Sequence, residues 1–288
     1  MAARYRPSGK QGQAGATVRI GIVAPANTAN PEMVAPISAF AAIAYPEVEL
    51  VFHPQCFEAD GHFAGPDARR AAAFLDYAND PAVDAIWFAR GGYGSNRILA
   101  EAMPRLGPAA REKAYLGYSD MGFLLAALYA RRIGRPAHGP MVTDIRREGG
   151  DHTVARALGW LARGERDGLE PTLGGQPAAA FNLAILGSLI GTPWLPDLAD
   201  HVLMVEEVSE PMYNLDRLLF TMANATQLRG LAGVRLGAVT AVKENDPPWG
   251  ETLEFMIARW CRDMGVPYLG RCEIGHTQAN RVVPFGLG

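Results

Sequence analysis

Short apolar runs alternate with longer stretches of helical spacing along most of this chain. Residues 18–24 (VRIGIVA) are apolar apart from Arg19 and stop at Pro25, the pattern of a buried strand. Alanine-rich residues 31–44 predict a helix, and residues 48–53 (VELVFH) a second strand. Residues 66–78 predict another helix, with Pro66 at its start and Arg69 and Arg70 on its solvent side. Residues 83–89 (VDAIWFA) read as a third strand, 95–103 as a helix, and Tyr115 with Leu116 as a fourth strand. Alternation of this kind predicts an α/β domain built on a doubly wound, Rossmann-like sheet. Ligands of such sheets bind beyond the carboxyl ends of the strands. Two stretches fall at those ends: the loop Gly91-Gly92-Tyr93-Gly94 and the segment Gly117-Tyr118-Ser119-Asp120.

Composition changes between 146 and 177, where REGGD, ARGERDG and GGQP surround one helical stretch at 153–162. That predicts a connection at 149–178 between an N-terminal domain, 17–148, and a smaller α/β C-terminal domain, 179–288, with 1–16 as a flexible polar tail. The second unit opens with apolar residues 181–190 and 203–207. It continues through a helix at 214–222, a strand at 236–242 and a helix at 252–264, and ends in a strand at 282–285.

Residues 114–129 (AYLGYSDMGFLLAALY) carry the sharpest chemical signal. A strand that turns through Gly117 and Tyr118 into a helix can lift the Ser119 hydroxyl clear of the fold. That is the geometry of a nucleophile elbow, here G-Y-S-D in place of G-x-S-x-G. Ser119 or Asp120 can equally be a plain helix cap, since both residue types accept from orphan N–H groups. A serine hydroxyl is a weak nucleophile and needs a base in reach, itself held by an acceptor. Among six histidines, His276 in EIGHTQ follows a glycine after a strand, where a loop can present an imidazole to a cleft. The carboxylate candidates are Glu206 and Glu207 at the end of the apolar run HVLMV, with exposure to solvent or pairing with Arg217 as the plain alternative. The three glycines at 91, 92 and 94 let the backbone approach a bound group. They serve as a phosphate cradle, as a source of an oxyanion N–H, or as no more than a tight turn.

The 288 residues are 49% hydrophobic, ample for a large core, and the net charge of -3 with a pI near 6.1 lacks the basic footprint of a nucleic-acid or anionic-membrane binder. Cys56, Cys261 and Cys272 form no C-x-x-C pair, which argues against a disulfide framework or a zinc cluster and favours a cytoplasmic protein. No apolar run reaches the length of a membrane span, and the N-terminus lacks a secretory apolar core. With no H-E-x-x-H and no paired histidines, neither a metal nor another cofactor is expected.

Seven stretches in order resemble the LD-carboxypeptidase family of serine peptidases, which includes the muramoyltetrapeptide carboxypeptidases and the microcin-C immunity peptidases. They are GIVAPA (21–26), ARGGYGSNRIL (89–99), GYSD (117–120), HGPM (138–141), NLAILGSLIGTPWLPDL (182–198), LMVEEVSEPMYNLDRLL (203–219) and GHTQANRVVPFG (275–286). The resemblance implies a catalytic triad of Ser119, His276 and Glu206 split across two domains. It implies an oxyanion hole from the backbone N–H of Asp120 and of Gly91 or Gly92, and a homodimer. The implied substrate is a small peptide, a murein tetrapeptide or a peptide-nucleotide, cleaved between an L-centre and a C-terminal D-amino acid.

For the substrate's free carboxylate the candidates are the helix start at Ser95 and Asn96, or Arg90. Tyr93 and Trp194 are candidates for packing against the peptide. The chain departs from the family twice. Ala180-Phe181 replaces the usual Gly-Gly, which is expected to alter a turn beside the cleft, and relatives continue past VVPFG where this chain ends at Gly288. Two readings compete with a murein carboxypeptidase: an immunity-type peptidase acting on an aminoacyl-nucleotide, and a non-catalytic binding module in which Ser119→Ala is harmless.

Overall fold

The computed structural model describes residues 17–287, so the tail expected at 1–16 lies outside the described residues. The first unit alternates β1 (Val18–Val23), α1 (Val34–Ala44), β2 (Val48–Phe52), α2 (Asp67–Asn79), β3 (Ala85–Phe88), α3 (Leu99–Ala102), β4 (Ala114–Gly117), α4 (Gly122–Ala130), β5 (Arg135–His138) and α5 (Gly150–Leu158). Its five strands are parallel and stand in the order β2-β1-β3-β4-β5. Every residue of β3 and β4 is buried, because helices cover both faces of the sheet. The order reverses between β1 and β3, and the loops leaving those two strands diverge there to open a crevice.

Four local features of the folded chain differ from the sequence pattern. Residues 95–103 do not form one helix: 3-10 turns at Ser95–Ile98 and Met103–Arg105 flank the four-residue α3, and Pro104 removes an N–H that a longer helix needs. Arg70 does not face solvent. It is fully buried, donates to the carbonyls of Gly65 (3.2 Å), Gly94 (2.8 Å) and Pro25, and pairs with Asp67. Its guanidinium carries enough donors to satisfy three buried carbonyls at once, including that of the glycine loop. The strand β5 had no sequence signal, since Arg135 and Pro136 interrupt the apolar pattern. Residues 150–163, expected inside the connection, bury Val154, Ala157, Leu158, Trp160 and Leu161 in the core behind β1.

The second unit carries β6 (Ala178–Asn182), α6 (Leu183–Leu189), β7 (Val202–Val208), α7 (Met212–Asn224), β8 (Gly233–Thr240), α8 (Leu253–Met264) and β9 (Tyr268–Arg271). Its sheet is parallel in the order β6-β7-β8-β9. The chain then returns: β10 (Val283–Pro284) pairs antiparallel with β5, Val283 opposite His138, and closes the open edge of the first sheet.

Residues Gly122 to Leu128 of α4 are all buried, and one apolar cluster runs from Phe74, Phe88 and Leu124 through to Phe181, Leu186 and Leu203 of the second unit. Each of the buried leucines of α4 contributes about 2 kcal/mol of transfer free energy, so the helix behind Ser119 is a firm support. A Cβ on Gly122 would meet Ile185 Cγ2 at 3.0 Å, so this glycine lets α4 and α6 approach closely.

Candidate active site

Ser119 leaves β4 with φ +59, in the left-handed region, and begins the 3-10 turn Ser119–Met121 that leads into α4. A non-glycine residue held there costs on the order of 1–3 kcal/mol, which the buried α4 behind it supports. The expected strand–turn–helix elbow is therefore present. Asp120 ties it to the glycine loop: its carboxylate accepts from Ser95 N (2.9 Å) and Gly94 N (3.3 Å), and its carbonyl accepts from Ser95 Oγ (2.6 Å). Burial raises the Asp120 carboxyl pKa, with the Ser95 and Gly94 donors opposing it.

Gly91 lies so close that a Cβ placed on it would stand 3.1 Å from Ser119 Cβ and 3.2 Å from Oγ. Gly92 has φ +115, and a Cβ there would fall 2.4 Å from Asn27 Cγ. Among the described residues, the N–H groups of Gly91 and Gly92 have no hydrogen-bond partner. Both glycines line the same cavity as Ser119, so two unpartnered backbone donors lie on one wall with the hydroxyl.

The imidazole comes from the second unit. His276 Nδ1 lies 2.8 Å from Glu206 Oε2, and Glu206 is 1% exposed. Glu206 Oε1 is buried with no partner, so the carboxylate is directed at His276 alone. The register slips here: Val205 pairs with Leu236 but Glu207 with Val239, so β8 spends one extra residue opposite Glu206. A bulge of this kind re-aims a side chain at a sheet's functional edge. Gly275, at φ +118, lets the next turn press in, since a Cβ there would stand 3.1 Å from Glu206 Oε2. Alternation along β7 sends Glu207 elsewhere: it accepts from Asn182 Nδ2 (2.6 Å), Ala184 N (2.8 Å) and Val208 N (2.8 Å), and so holds the start of α6. Neither acid is solvated, contrary to the plain alternative for this pair.

Ser119 and His276 line one cavity of about 430 Å³ at the carboxyl ends of the first sheet, together with Asn30, Arg90, Gly91, Gly92, Tyr118, Met141, Thr143, Arg146 and Arg147. The size suits a small ligand. Arg146 is bonded to Glu32 (2.8 Å) and Arg147 to buried Asp144 (3.0 Å), while no carboxylate among the described residues pairs with Arg90, whose Nη1 donates to Thr28 O at 3.2 Å. The wall is cationic and carries no carboxylate of its own. Among the described residues no group of His, Cys, Asp and Glu is arranged to hold a metal ion.

Neither Ser95 nor Trp194 lines this cavity. Ser95 is fully buried, and Asp120 already occupies the N–H groups at this turn, so it is not open to a substrate carboxylate. Trp194 stacks on Arg131 (4.3 Å), just past the far end of α4, more than about 12 Å along the helix from Ser119. Tyr93 is 47% exposed beside His62 and Phe63, next to the glycine loop. Phe181, at the departure from the family pattern, packs on Phe285 in the core at 5.2 Å and away from the cavity.

Arg146 and Arg147 look like linker charge in the sequence, and His138 and Asn280 carry no separate signal within HGPM and GHTQANRVVPFG. Asp144 is equally silent in the sequence, and in the fold it accepts from Tyr118 OH (3.1 Å) and Met141 N (2.8 Å). The carboxyl pKa of Asp144 is raised by burial, with Arg147 opposing it.

Residues 20–139 match the LD-carboxypeptidase N-terminal domain, and residues 177–288 the LD-carboxypeptidase C-terminal domain. A putative carboxypeptidase of Streptomyces coelicolor is 33% identical over 78% of this chain and 74% of its own length. The murein tetrapeptide carboxypeptidase of Pseudomonas aeruginosa is 27% identical over 78% of each. In fold, the chain is similar to muramoyltetrapeptide carboxypeptidase from Oxalobacter formigenes (TM-score 0.78, 23% identity, 92% of this chain and 93% of that one). It is also similar in fold to MccF in complex with glutamyl sulfamoyl guanosine (TM-score 0.77, 17% identity, 93% and 91%). Two domain matches in sequence order, on a fold shared with these proteins, establish that this chain belongs to the LD-carboxypeptidase family of peptidases.

Proposed function

We propose that the protein is a serine carboxypeptidase that releases a C-terminal D-amino acid from a short peptide, most simply a murein stem tetrapeptide. The observation that carries this reading is the pairing of a left-handed Ser119 with a Glu206-bound His276 on one cavity wall. Glu206 accepts the Nδ1–H of His276, which leaves Nε2 unprotonated and able to take the Ser119 proton. Ser119 Oγ then attacks the carbonyl carbon of the scissile amide. The N–H groups of Gly91 or Gly92 and of Asp120 hold the oxyanion, each contributing about 3 kcal/mol to lowering the barrier. The proton on Nε2 passes to the departing amine, which leaves as the free D-amino acid. Water, deprotonated by the same imidazole, cleaves the Ser119 ester.

Arg90, the cavity arginine without an acidic partner, takes the terminal carboxylate. Of the two peptidase readings, the cavity favours a peptide over a nucleotide conjugate. The phenol ring in its wall, Tyr118, is 1% exposed and packed 4.8 Å from His276, so that ring offers no open face for a nucleobase to stack on.

Incubating the protein with a stem tetrapeptide should release terminal D-alanine, detected by mass spectrometry. Purified, folded Ser119→Ala should release none and should escape labelling by a serine-reactive phosphonate. Turnover by Ser119→Ala at the wild-type rate would refute the mechanism and leave the binding-module reading standing.

A further inference from the structure

We propose that His138 is a positioning residue for this reaction, holding the Gly275–His276 turn through Asn280 at the height Ser119 requires. The proposal rests on the serine reading above. Asn280 is 1% exposed, and its side-chain oxygen receives the backbone N–H of Gly275 at 3.1 Å. A backbone N–H can only donate, so the atom it meets must be Oδ1 and not the amide nitrogen, which fixes the orientation of Asn280. The same Oδ1 lies 3.3 Å from His138 Nε2. Two acceptors would repel, so Nε2 carries the proton and His138 donates. The chain of bonds then has one sense: His138 Nε2–H to Asn280 Oδ1, and Gly275 N–H to the same oxygen.

His138 is itself 1% exposed, and burial pushes its pKa down to about 4, with Glu206 pulling upward and His276 adding to the depression. It is therefore a neutral donor near pH 7. That neutrality suits its place, since a second cation so near His276 would oppose formation of the imidazolium.

The geometry leaves little slack. His138 lies opposite Gly117 in the β4–β5 register, and Gly117 is two residues before Ser119. It lies opposite Val283 on the other side, in the strand that follows the His276 loop. One pair of neighbouring strands therefore sets both the nucleophile and the group that steadies its base. The outer side of the loop has separate anchors: Thr153 Oγ1 and Arg156 Nη1 donate to Gln278 O at 3.1 and 2.7 Å, and Arg156 also to Asn280 O at 3.0 Å. Removing His138 therefore takes away one of the two donors that hold Asn280 Oδ1 and leaves the outer anchors of the loop in place, so the loss falls on the placement of His276.

The test compares His138→Leu, which cannot donate, with His138→Gln, whose amide N–H can reach Asn280 Oδ1. In His138→Leu, kcat should fall about 10²-fold with KM within about twofold, because misplacing a reacting group by about 1 Å costs this much. Hydrogen exchange at residues 275–277 should quicken. His138→Gln should recover at least about tenfold of the rate and most of the protection. Equal kcat per folded molecule in wild type and His138→Leu, or equal losses in both variants, would overturn the proposal. If His138→Leu does not fold, Asn280→Ala removes the acceptor from the other side and is read in the same way. Phosphonate labelling distinguishes failure of the serine chemistry from failure of the His138 role. An unlabelled wild type sinks the serine reading and this proposal with it. A labelled wild type whose His138→Leu variant is labelled equally fast sinks the positioning role alone.

Discussion

Replacing Gly91 by alanine adds one carbon at the most crowded point beside Ser119. The new Cβ would stand 3.1 Å from Ser119 Cβ, 3.2 Å from Ser119 Oγ and 3.4 Å from Met141 Cε. Comfortable contacts between such atoms are about 3.5–4.0 Å, so the loop or the serine must yield by a few tenths of an ångström. Gly91 is not among the glycines with positive φ, so alanine brings no backbone strain there and the cost is crowding alone. We expect a stability loss of about 1 kcal/mol, the low end for overpacking, and a Tm lowered by roughly 2–4 °C. Catalysis should suffer more. The displaced atoms are the attacking hydroxyl and an oxyanion N–H, and kcat should drop about 10- to 100-fold while KM moves little.

Gly92→Ala makes the control. Its φ of +115 and its 2.4 Å approach to Asn27 Cγ predict a larger folding penalty, about 2–4 kcal/mol. Calorimetric melting and D-alanine release, measured on the same preparations, separate the two effects. Gly91→Ala with full kcat would refute the claim that this backbone must approach the nucleophile.

Three further outcomes follow from the same site. Glu206→Gln should lower kcat by about 10²- to 10⁴-fold, because the His276 Nδ1–H loses the carboxylate that orients it, and wild-type kcat in this variant would remove Glu206 from the mechanism. Arg90→Gln should raise KM about tenfold for a peptide with a free C-terminal carboxylate and leave KM for the corresponding amide unchanged, and equal effects on both would assign Arg90 another task. Folding stability should carry a signature of His138, whose pKa falls from 6.5 to about 4 on burial. Below about pH 6.5 the unfolded chain takes up a proton on this ring and the folded protein does not, so the contribution is complete above that pH and is lost as pH falls toward 4. Asp120, Asp144 and Glu207, whose carboxyls burial raises, slope the opposite way in acid, so the comparison is with His138→Gln. The difference between urea unfolding free energies of the two proteins should change by on the order of 3 kcal/mol between neutral pH and pH 4, and parallel curves would show that His138 is not buried neutral.

Local chemistry made much of this protein legible in one dimension. The apolar runs of β1 and β3 and the glycine-to-helix turn at Ser119 need only their own neighbours to form, because buried strands and elbows are written in consecutive residues. Glycines at 91 and 92 likewise announce a close backbone approach, although not to what.

Other features depended on partners far away in the chain. Glu206 and Glu207 are adjacent and chemically alike, and only a bulge in the neighbouring strand and the alternation of β7 decide that the first meets His276 while the second caps α6. Arg70 reads as a surface residue until three carbonyls from separate loops converge on it. The anion site expected at Ser95 is filled from within by Asp120, a residue 25 positions on. Backbone conformation and apolar burial are largely settled by short-range sequence. The destination of a buried polar group is settled by whichever distant donor or acceptor the packed chain brings to it, and that pairing exists only in three dimensions.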